Sequence, residues 1–225
     1  VDKDANSAIE KLLKSKTLNF SLGEAVAAVE KIPFHLPQLD KLLGGGIPKN
    51  RFTLIYGPPN VGKSYLASLV VSSAQKEGGE AMWVDVERSY DKDWMAKCGV
   101  DQSKILVAQP DNGVEAMAHV KEGLDAGIAV VVLDSVAALL PADIAKEVAK
   151  GIRATNTWPG GQGQTFYAHA MLEVRRDGWI KEEINGNEET VGFDMQVRMH
   201  KSKIGGENWK SVVVPFKSDG GIDII

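Results

Sequence analysis

The sequence predicts an α/β protein with a mainly parallel central sheet, an antiparallel extension and a short N-terminal helix. Two observations lead to this fold class. Between residues 52 and 134, short apolar segments alternate with segments of helical character, which is the order of a parallel sheet with helical crossovers. Beyond residue 165, three strand-like segments follow one another without long helices between them, as in an antiparallel region.

The composition is typical of a globular protein that folds without disulfides. The chain has 225 residues, 44% hydrophobic and 25% charged, which suits one large domain with a small appendage. Cys98 is the only cysteine, and no apolar run approaches the roughly 20 residues that span a bilayer. We therefore expect a soluble, cytoplasmic protein without a membrane partner. The net charge of −4 gives no global basic balance for nucleic acid, although a local basic groove would be sufficient.

The chain is expected to contain two parts. Residues 1–35 form an N-terminal helix, centred on 7–14, and a linker with a role in oligomerisation. A helix of this size does not fold alone, so it packs either on its own core or on a neighbouring subunit. Residues 36–225 form the core, with expected strands at 52–56, 81–85, 105–108, 129–134, 166–175, 193–200 and 212–216 and helices at 64–75, 91–98 and 114–126.

A glycine-rich loop carries the strongest chemical signal. It lies between an expected strand and an expected helix and matches the pattern G-x-x-x-x-G-K-[ST], whose backbone N–H groups surround phosphate oxygens. Lys63 brings positive charge to the β- and γ-phosphates, and the hydroxyl of Ser64 is a Mg²⁺ ligand. Nucleotide contacts are expected from Gly57, Pro58, Pro59, Asn60, Val61, Gly62, Lys63, Ser64 and Tyr65.

Acidic residues follow two other strands. Asp134 ends the most apolar strand, at the sheet edge where a second acidic group holds Mg²⁺ through water. Glu87 follows the strand that contains Asp85, and a carboxylate at this position is suited to deprotonating an attacking water. The residues alone do not decide between Glu87 and Asp85 as the base.

Aromatic and basic residues offer two further candidates. Trp94 or Tyr90 is suited either to stacking on adenine or to ordinary packing. Lys201 and Lys203 lie on the same side of an extended segment. They are suited either to neutralising phosphate or to protecting an exposed strand edge with charge.

Several stretches together resemble one family. They are Leu39-Asp-Lys-Leu-Leu-Gly-Gly-Gly before the loop, Val84-Asp-Val-Glu87, Gln109-Pro-Asp, Val132-Leu-Asp-Ser-Val-Ala-Ala-Leu140, Phe166-Tyr-Ala, Arg175-Arg176 and Lys201-Ser-Lys-Ile204. This set is similar to the RecA/RadA recombinase family, closest to bacterial RecA and its phage relatives. The resemblance covers roughly residues 36–141 and 158–217.

The resemblance implies a RecA-like P-loop ATPase core and a role for each candidate. Glu87 activates water, Asp134 belongs to the second acidic motif, and Asp91 and Trp94 contact adenine. Lys201 and Lys203 reach the ATP of an adjacent subunit, which is the logic of an arginine finger supplied in trans. Gly160 and Gly161 match the glycine pair of the second DNA-binding loop.

The implied function is that of an ATP-dependent DNA recombinase. With ATP and Mg²⁺ it would form filaments on single-stranded DNA and promote pairing and strand exchange with double-stranded DNA, acting as a DNA-dependent ATPase. Two alternatives share the same core: a ring-forming helicase motor and a recombination mediator that binds ATP and hydrolyses it weakly.

One departure from the family is large. After the second acidic strand, the family has a long helix, a first DNA loop and a central strand ending in a γ-phosphate sensor. Here 25 residues separate Leu140 from Phe166, without an apolar strand among them. Either the chain omits stretches of the natural protein or it is a shortened variant. In both cases we expect a hole in the middle of the sheet. Because the sequence stops at Ile225, we expect the chain to resemble a compact phage recombinase, without the family's C-terminal domain, more than full-length bacterial RecA.

Overall fold

The N-terminal part forms a compact unit of its own. The computed structural model describes residues 3–15, 17–136 and 163–217, and the chain divides into units of residues 1–30 and 31–225. The first unit contains α1 (Lys3–Leu13) and a 3₁₀ turn at Gly23–Ala25. The helix α1 begins four residues before the predicted start. Among the described residues, none of the helices is long and apolar enough to cross a bilayer.

The second unit begins five residues before the expected boundary. The reason is that β1 (Lys31–Ile32) pairs with β2 (Ile47–Pro48), and Phe34 is buried in the core. Between these strands lies α2 (Pro37–Leu43). Asp40 holds the entry to this helix, because its carboxylate accepts hydrogen bonds from the backbone N–H groups of Phe34 and Leu36.

Three parallel strands form the first large sheet. β4 (Ala81–Asp85) lies between β5 (Ile105–Ala108) and β6 (Val130–Asp134). The helices that accompany these strands are α3 (Lys63–Lys76), α4 (Lys92–Lys97) and α5 (Gly113–Asp125). Side chains of β4 alternate between two apolar clusters, one shared with α3 and α4 and the other with α5. The sheet therefore carries helices on both faces, which agrees with the predicted parallel α/β arrangement.

The second large sheet is mainly antiparallel. Its strand order is β3 (Thr53–Tyr56), β7 (Ala170–Ile184), β8 (Asn187–Ser202) and β9 (Ser211–Lys217). β3 is parallel to β7, and the remaining pairs are antiparallel. The main core includes buried side chains of α2, α3, β7 and β8. The predicted antiparallel extension is thus present, built against the strand that leads into the glycine-rich loop.

The hairpin of β7 and β8 is much longer than predicted. The turn consists of Asn185 and Gly186, both with positive φ (+54° and +81°), which is typical of a two-residue hairpin turn.

The prediction that residues 166–175 form one strand was wrong at its start. Phe166 lies in a short helix, α6 (Gly163–Tyr167), and the strand begins at Ala170. The ring of Phe166 is exposed and contributes nothing to the sheet.

A break separates the two large sheets. Within the described residues, no strand connects β6 to β3, although α3 packs against both of them. All residues of β6 and of β3 are half-buried, whereas every residue of β4 is buried. This pattern agrees with inner edges of β3 and β6 that have no neighbouring strand among residues 3–15, 17–136 and 163–217. The break lies in the middle of the expected sheet, where the sequence predicted a hole.

Candidate nucleotide-binding site

The glycine-rich loop lies between β3 and α3, as predicted, and two of its glycines are required sterically. At Gly62 (φ +94°), a Cβ atom would lie 2.7 Å from the sulfur of Met195. At Gly57 (φ +154°), it would lie 2.0 Å from the carbonyl oxygen of Val174. Real Cβ contacts are not that short, so any side chain at these positions would displace the loop from β7 and β8.

Lys63 occupies the first turn of α3. Its Nζ atom donates a hydrogen bond to the carbonyl oxygen of Pro58 at 2.6 Å, so the side chain folds back over the loop. Burial lowers the pKa of Lys63, and the nearby carboxylates of Asp134 and Glu87 oppose this shift. The ammonium group is thus partly desolvated and lies close to two carboxylates.

Ser64 and Asp134 meet across the break between the sheets. The hydroxyl of Ser64 donates to Oδ2 of Asp134 at 2.7 Å. Burial raises the pKa of Asp134, and the charges of Glu87 and Asp85 raise it further, while Ser64 and Lys63 act in the opposite direction. A hydroxyl and a carboxylate side by side are oxygen ligands of the type that Mg²⁺ binds, with water and phosphate oxygens completing its coordination. The residues present therefore fit the predicted metal.

The described residues contain no cluster of three or more His, Cys, Asp or Glu side chains that would hold a metal by itself. This agrees with the usual Mg²⁺ site of nucleotide-binding proteins, where one or two protein ligands act together with phosphates. The donor set of Ser64 and Asp134 is of that kind, so it fits Mg²⁺ bound together with a nucleotide.

Asp85 and Glu87 have different surroundings, although they are two residues apart. Asp85 is fully buried and accepts hydrogen bonds from the backbone N–H groups of Ser89 and Tyr90 and from the side chain of Gln109. Burial alone would raise the pKa of Asp85, but these hydrogen bonds outweigh it and lower the pKa. Asp85 is thus occupied in holding the loop that follows β4. Gln109 was missed as its partner, although its place directly after β5 puts it at the same sheet edge.

Glu87 is exposed at the same edge of the sheet. The hydroxyl of Ser135 donates to its Oε1 atom at 2.5 Å, and Ser135 follows Asp134 directly. Glu87 is therefore oriented by a neighbour and accessible to solvent, which are the two properties that a base acting on water needs. Lys63, Ser64, Glu87 and Asp134 converge at the carboxyl ends of β3, β4 and β6.

Asp91 and Trp94 lie at the start of α4. Asp91 is the N-cap of this helix, and its Oδ1 atom accepts the N–H groups of Asp93 and Trp94. The indole of Trp94 is half-buried, with ring centroids 6.3 Å from Tyr65 and 5.9 Å from Phe216. Asp91 thus has a structural role in the ligand-free chain, and Trp94 already packs against other side chains.

Two other aromatic residues are engaged in packing. Tyr65 is only 5% exposed, and its ring is part of the main core. The ring of Tyr90 packs edge-on against Trp83, and its hydroxyl donates to Gln102. Trp94 and Tyr90 are thus both engaged in aromatic contacts, and stacking of either on adenine stays a prediction.

Lys201 and Lys203 lie at the other end of the sheet from the loop. The register places Lys201 beside Met171, which is itself beside Leu54, three residues before Gly57. At about 3.3 Å per residue, the loop begins about 10 Å further along the sheet. Both lysines donate to the carbonyl oxygen of Phe166 at the end of α6, and Lys201 also donates to that of Thr165. The ladder between β8 and β9 ends at Arg198 and Ser211, so Lys201 and Lys203 lie beyond it, and protection of an exposed strand edge stays an alternative. Gly160 and Gly161, predicted to contact DNA, lie outside the described residues.

Comparison with known proteins assigns this site to a family. A family model for the RecA N-terminal domain matches residues 3–153. The chain belongs to the RecA family. Its relatives include the protein RecA of Bifidobacterium breve, 32% identical over 97% of this chain and 65% of the relative. The RecA of Roseiflexus sp. (strain RS-1) is 34% identical over 79% of this chain and 61% of the relative. The RecA of Thermus aquaticus is 31% identical over 91% of this chain and 74% of the relative.

The chain covers only part of the length of these RecA proteins, and it also lacks residues within the aligned region. It spans 61% to 65% of the length of the first relatives that it matches. In addition, the alignment with the Bifidobacterium breve RecA runs over 268 positions, more than the 225 residues of this chain. The relative therefore has residues at positions where this chain has none. Missing internal residues agree with the break between β6 and β3.

Proposed function

We propose that the chain is the ATPase core of a DNA recombinase. It would assemble with ATP and Mg²⁺ as a helical filament on single-stranded DNA and promote pairing and strand exchange with double-stranded DNA. The observation that carries this proposal is the convergence of Lys63, Ser64, Glu87 and Asp134 at one edge of the fold, with the lysine pair at the opposite end of the same sheet. Membership of the RecA family supports the choice of DNA as the partner.

Each residue of the cluster would have a separate role in the hydrolysis of ATP to ADP and phosphate. Bound ATP and Mg²⁺ supply the phosphoryl group and its charge neutralisation. The backbone of the loop and the ammonium of Lys63 hold phosphate oxygens, and Ser64 and Asp134 provide the oxygen ligands for the metal. Glu87, oriented by Ser135, accepts the proton of the attacking water. Trp94 would contact the adenine.

Lys201 and Lys203 would act on the ATP of a neighbouring subunit. Within one chain they are level with the amino end of β3, too far from the loop to contact the same nucleotide. Their ammonium groups donate to backbone carbonyls of α6, which are neutral acceptors and do not cancel the positive charge. An ATP bound between two subunits would therefore stabilise the filament, and hydrolysis would weaken it.

Electron microscopy on single-stranded DNA tests the assembly directly. We expect filaments with ATP or a slowly hydrolysed analogue, and DNA affinity that falls steeply with salt, because phosphate contacts dominate such binding. The Lys63→Ala variant is the matched control and should form no ATP-dependent filament. If the unmodified chain forms no filament in any nucleotide state, the proposed function is wrong.

A weakly hydrolysing mediator is a second candidate, and the break between β6 and β3 favours it. A sheet that is interrupted beside Ser64 and Asp134 positions the metal ligands less firmly than a continuous one. Such a protein would bind ATP and remain assembled, with little turnover. Measuring ATP hydrolysis with and without single-stranded DNA separates the two: strong DNA stimulation indicates the recombinase, and binding without turnover indicates the mediator.

A further inference from the structure

The hairpin of β7 and β8 supports the glycine-rich loop at three points. Two of them are the contacts of Val174 and Met195 with the loop glycines described above. The third is a hydrogen bond from the guanidinium of Arg176 to the carbonyl oxygen of Asn60, with Nη2 and O 3.3 Å apart. Arg176 and Met195 are register partners on adjacent strands, so their side chains lie on the same face of the sheet. Of these three residues, Arg176 alone brings a charge to the loop.

The guanidinium of Arg176 is held in place by aromatic rings. Its Cζ atom lies 4.0 Å from the ring centroid of Trp179 and 5.3 Å from that of Phe193. These two rings are in edge-to-face contact with centroids 6.3 Å apart. A shift in register between Arg176 and Gly178 marks a β-bulge in this part of β7, and bulges redirect side chains beside functional sites. Arg176 therefore reaches the loop in a fixed orientation.

The hydrogen bond from Arg176 to Asn60 constrains the peptide between Asn60 and Val61, in the middle of the glycine-rich loop. Asn60 has φ +57°, a conformation that is uncommon for a residue with a side chain. In a trans peptide, the carbonyl of one residue and the N–H of the next point in opposite directions. A cation on the Asn60 carbonyl thus directs the Val61 N–H away from Arg176. It also polarises the peptide, which makes that N–H a stronger donor.

We propose that Arg176 is a positioning residue that orients the Asn60–Val61 peptide for binding the phosphates of a nucleotide. The proposal rests on the proposed function of the loop as an ATP site. Arg176 does not itself touch the nucleotide, and it acts through the backbone of the loop. Trp179 and Phe193 belong to the same device, because they hold the guanidinium in the orientation that reaches Asn60.

Nucleotide binding by the Arg176→Ala variant tests this role, with Arg175→Ala as the matched control. Arg175 is the preceding residue on the same strand and pairs with Glu173 instead of the loop. Titration calorimetry with ADP and with inorganic pyrophosphate should give roughly tenfold weaker binding for Arg176→Ala, as the loss of one hydrogen bond to a charged donor implies. Arg175→Ala should bind both probes like the unmodified chain.

Three further readouts separate positioning from a purely structural role. Arg176→Lys should recover part of the affinity, since it retains a charged donor, and Trp179→Ala should lose affinity in the same direction as Arg176→Ala. In steady-state hydrolysis, Arg176→Ala should raise KM for ATP and leave kcat nearly unchanged. The melting temperature of the ligand-free chain should be the same for Arg176→Ala and Arg175→Ala.

Two results would overturn the proposal: unchanged affinity of Arg176→Ala for pyrophosphate and ADP, or an equal loss in Arg175→Ala. Failure of the underlying ATP site is recognised separately. In that case the unmodified chain binds no nucleotide and behaves like Lys63→Ala.

Discussion

Replacement of Asp85 and of Glu87 by their amides should have opposite effects on stability and turnover. Both carboxylates follow β4, and the sequence does not decide which of them activates water. Glu87 is exposed and receives one hydrogen bond, from Ser135. Asp85 is buried and receives three, from Ser89, Tyr90 and Gln109. The amide variants therefore remove a chemical function in one case and a structural one in the other.

The expected magnitudes follow from these contacts. In Asp85→Asn, the NH₂ group faces either Ser89 or Tyr90 and Gln109, so at least one of the three hydrogen bonds is lost and those that remain go to a neutral acceptor. Losing one hydrogen bond to a charged acceptor and weakening the other two costs about 3 kcal/mol of the free energy of unfolding. For a domain of this size, that corresponds to a melting temperature roughly 6 to 12 °C lower. Glu87→Gln should leave the melting temperature within about 2 °C, because exposed positions contribute little.

The rate of ATP hydrolysis should depend on Glu87 and not on Asp85. Glu87→Gln removes the proton acceptor and should lower kcat by about 10²- to 10⁴-fold, with the affinity for ATP retained. The assay is steady-state phosphate release, corrected for the folded fraction at a temperature well below the melting midpoint. Asp85→Asn should retain turnover per folded molecule within about tenfold.

Two results would contradict these roles of Glu87 and Asp85. If Glu87→Gln hydrolyses ATP at the normal rate, Glu87 is not the base. If Asp85→Asn is as stable as the unmodified chain yet inactive, the hydrogen bonds to Asp85 are not structural and Asp85 takes the role proposed for Glu87.

Three other predictions concern the remaining residues of the site. Lys63→Ala should abolish tight nucleotide binding, which equilibrium titration with ADP measures; retained binding would remove Lys63 from the site. Lys201→Ala should weaken ATP-dependent assembly, followed by light scattering, more than it weakens ATP binding by the monomer, and an equal loss of both would exclude a role in trans. Burial raises the pKa of Asp134, so ionising this group destabilises the ligand-free fold, a cost that develops as the pH rises through the raised pKa. At neutral pH, Asp134→Asn should therefore raise the melting temperature of the ligand-free chain and remove the extra stabilisation by Mg²⁺ and ATP. On acidification, the Mg²⁺-dependent affinity of the unmodified chain should be lost at a higher pH than an ordinary aspartate would give.

Much of the first half of the core was predictable, because local patterns determine it. The strands at 81–85 and 105–108 have the predicted bounds, since short apolar runs between glycines and helix caps leave little freedom. The loop and Ser64 could be placed for the same reason, as the motif itself specifies a strand before and a helix after. These features depend on residues that are close in sequence.

The second half was less predictable, because pairing over long distances decides it. The long hairpin was divided into separate strands, although Asn185-Gly186 is a strong hairpin signal between β-forming segments. Charged residues along both strands interrupt the apolar pattern that would have indicated their full length. The contact between Arg176 and Asn60 joins positions 116 residues apart, and no local pattern indicates it. The same is true of Gln109 as the partner of Asp85.

The break between β6 and β3 has a consequence for how the molecule opens. Within the described residues, the two large sheets share core packing, α3 and the Ser64–Asp134 hydrogen bond, but no backbone ladder. Backbone amides along edges without ladder partners exchange with solvent early. A nucleotide and metal held by Ser64 and Asp134 would connect both sheets. If hydrogen exchange slows in β3 and β6 together when ATP and Mg²⁺ are added, the bound nucleotide has made the opening of the two sheets cooperative.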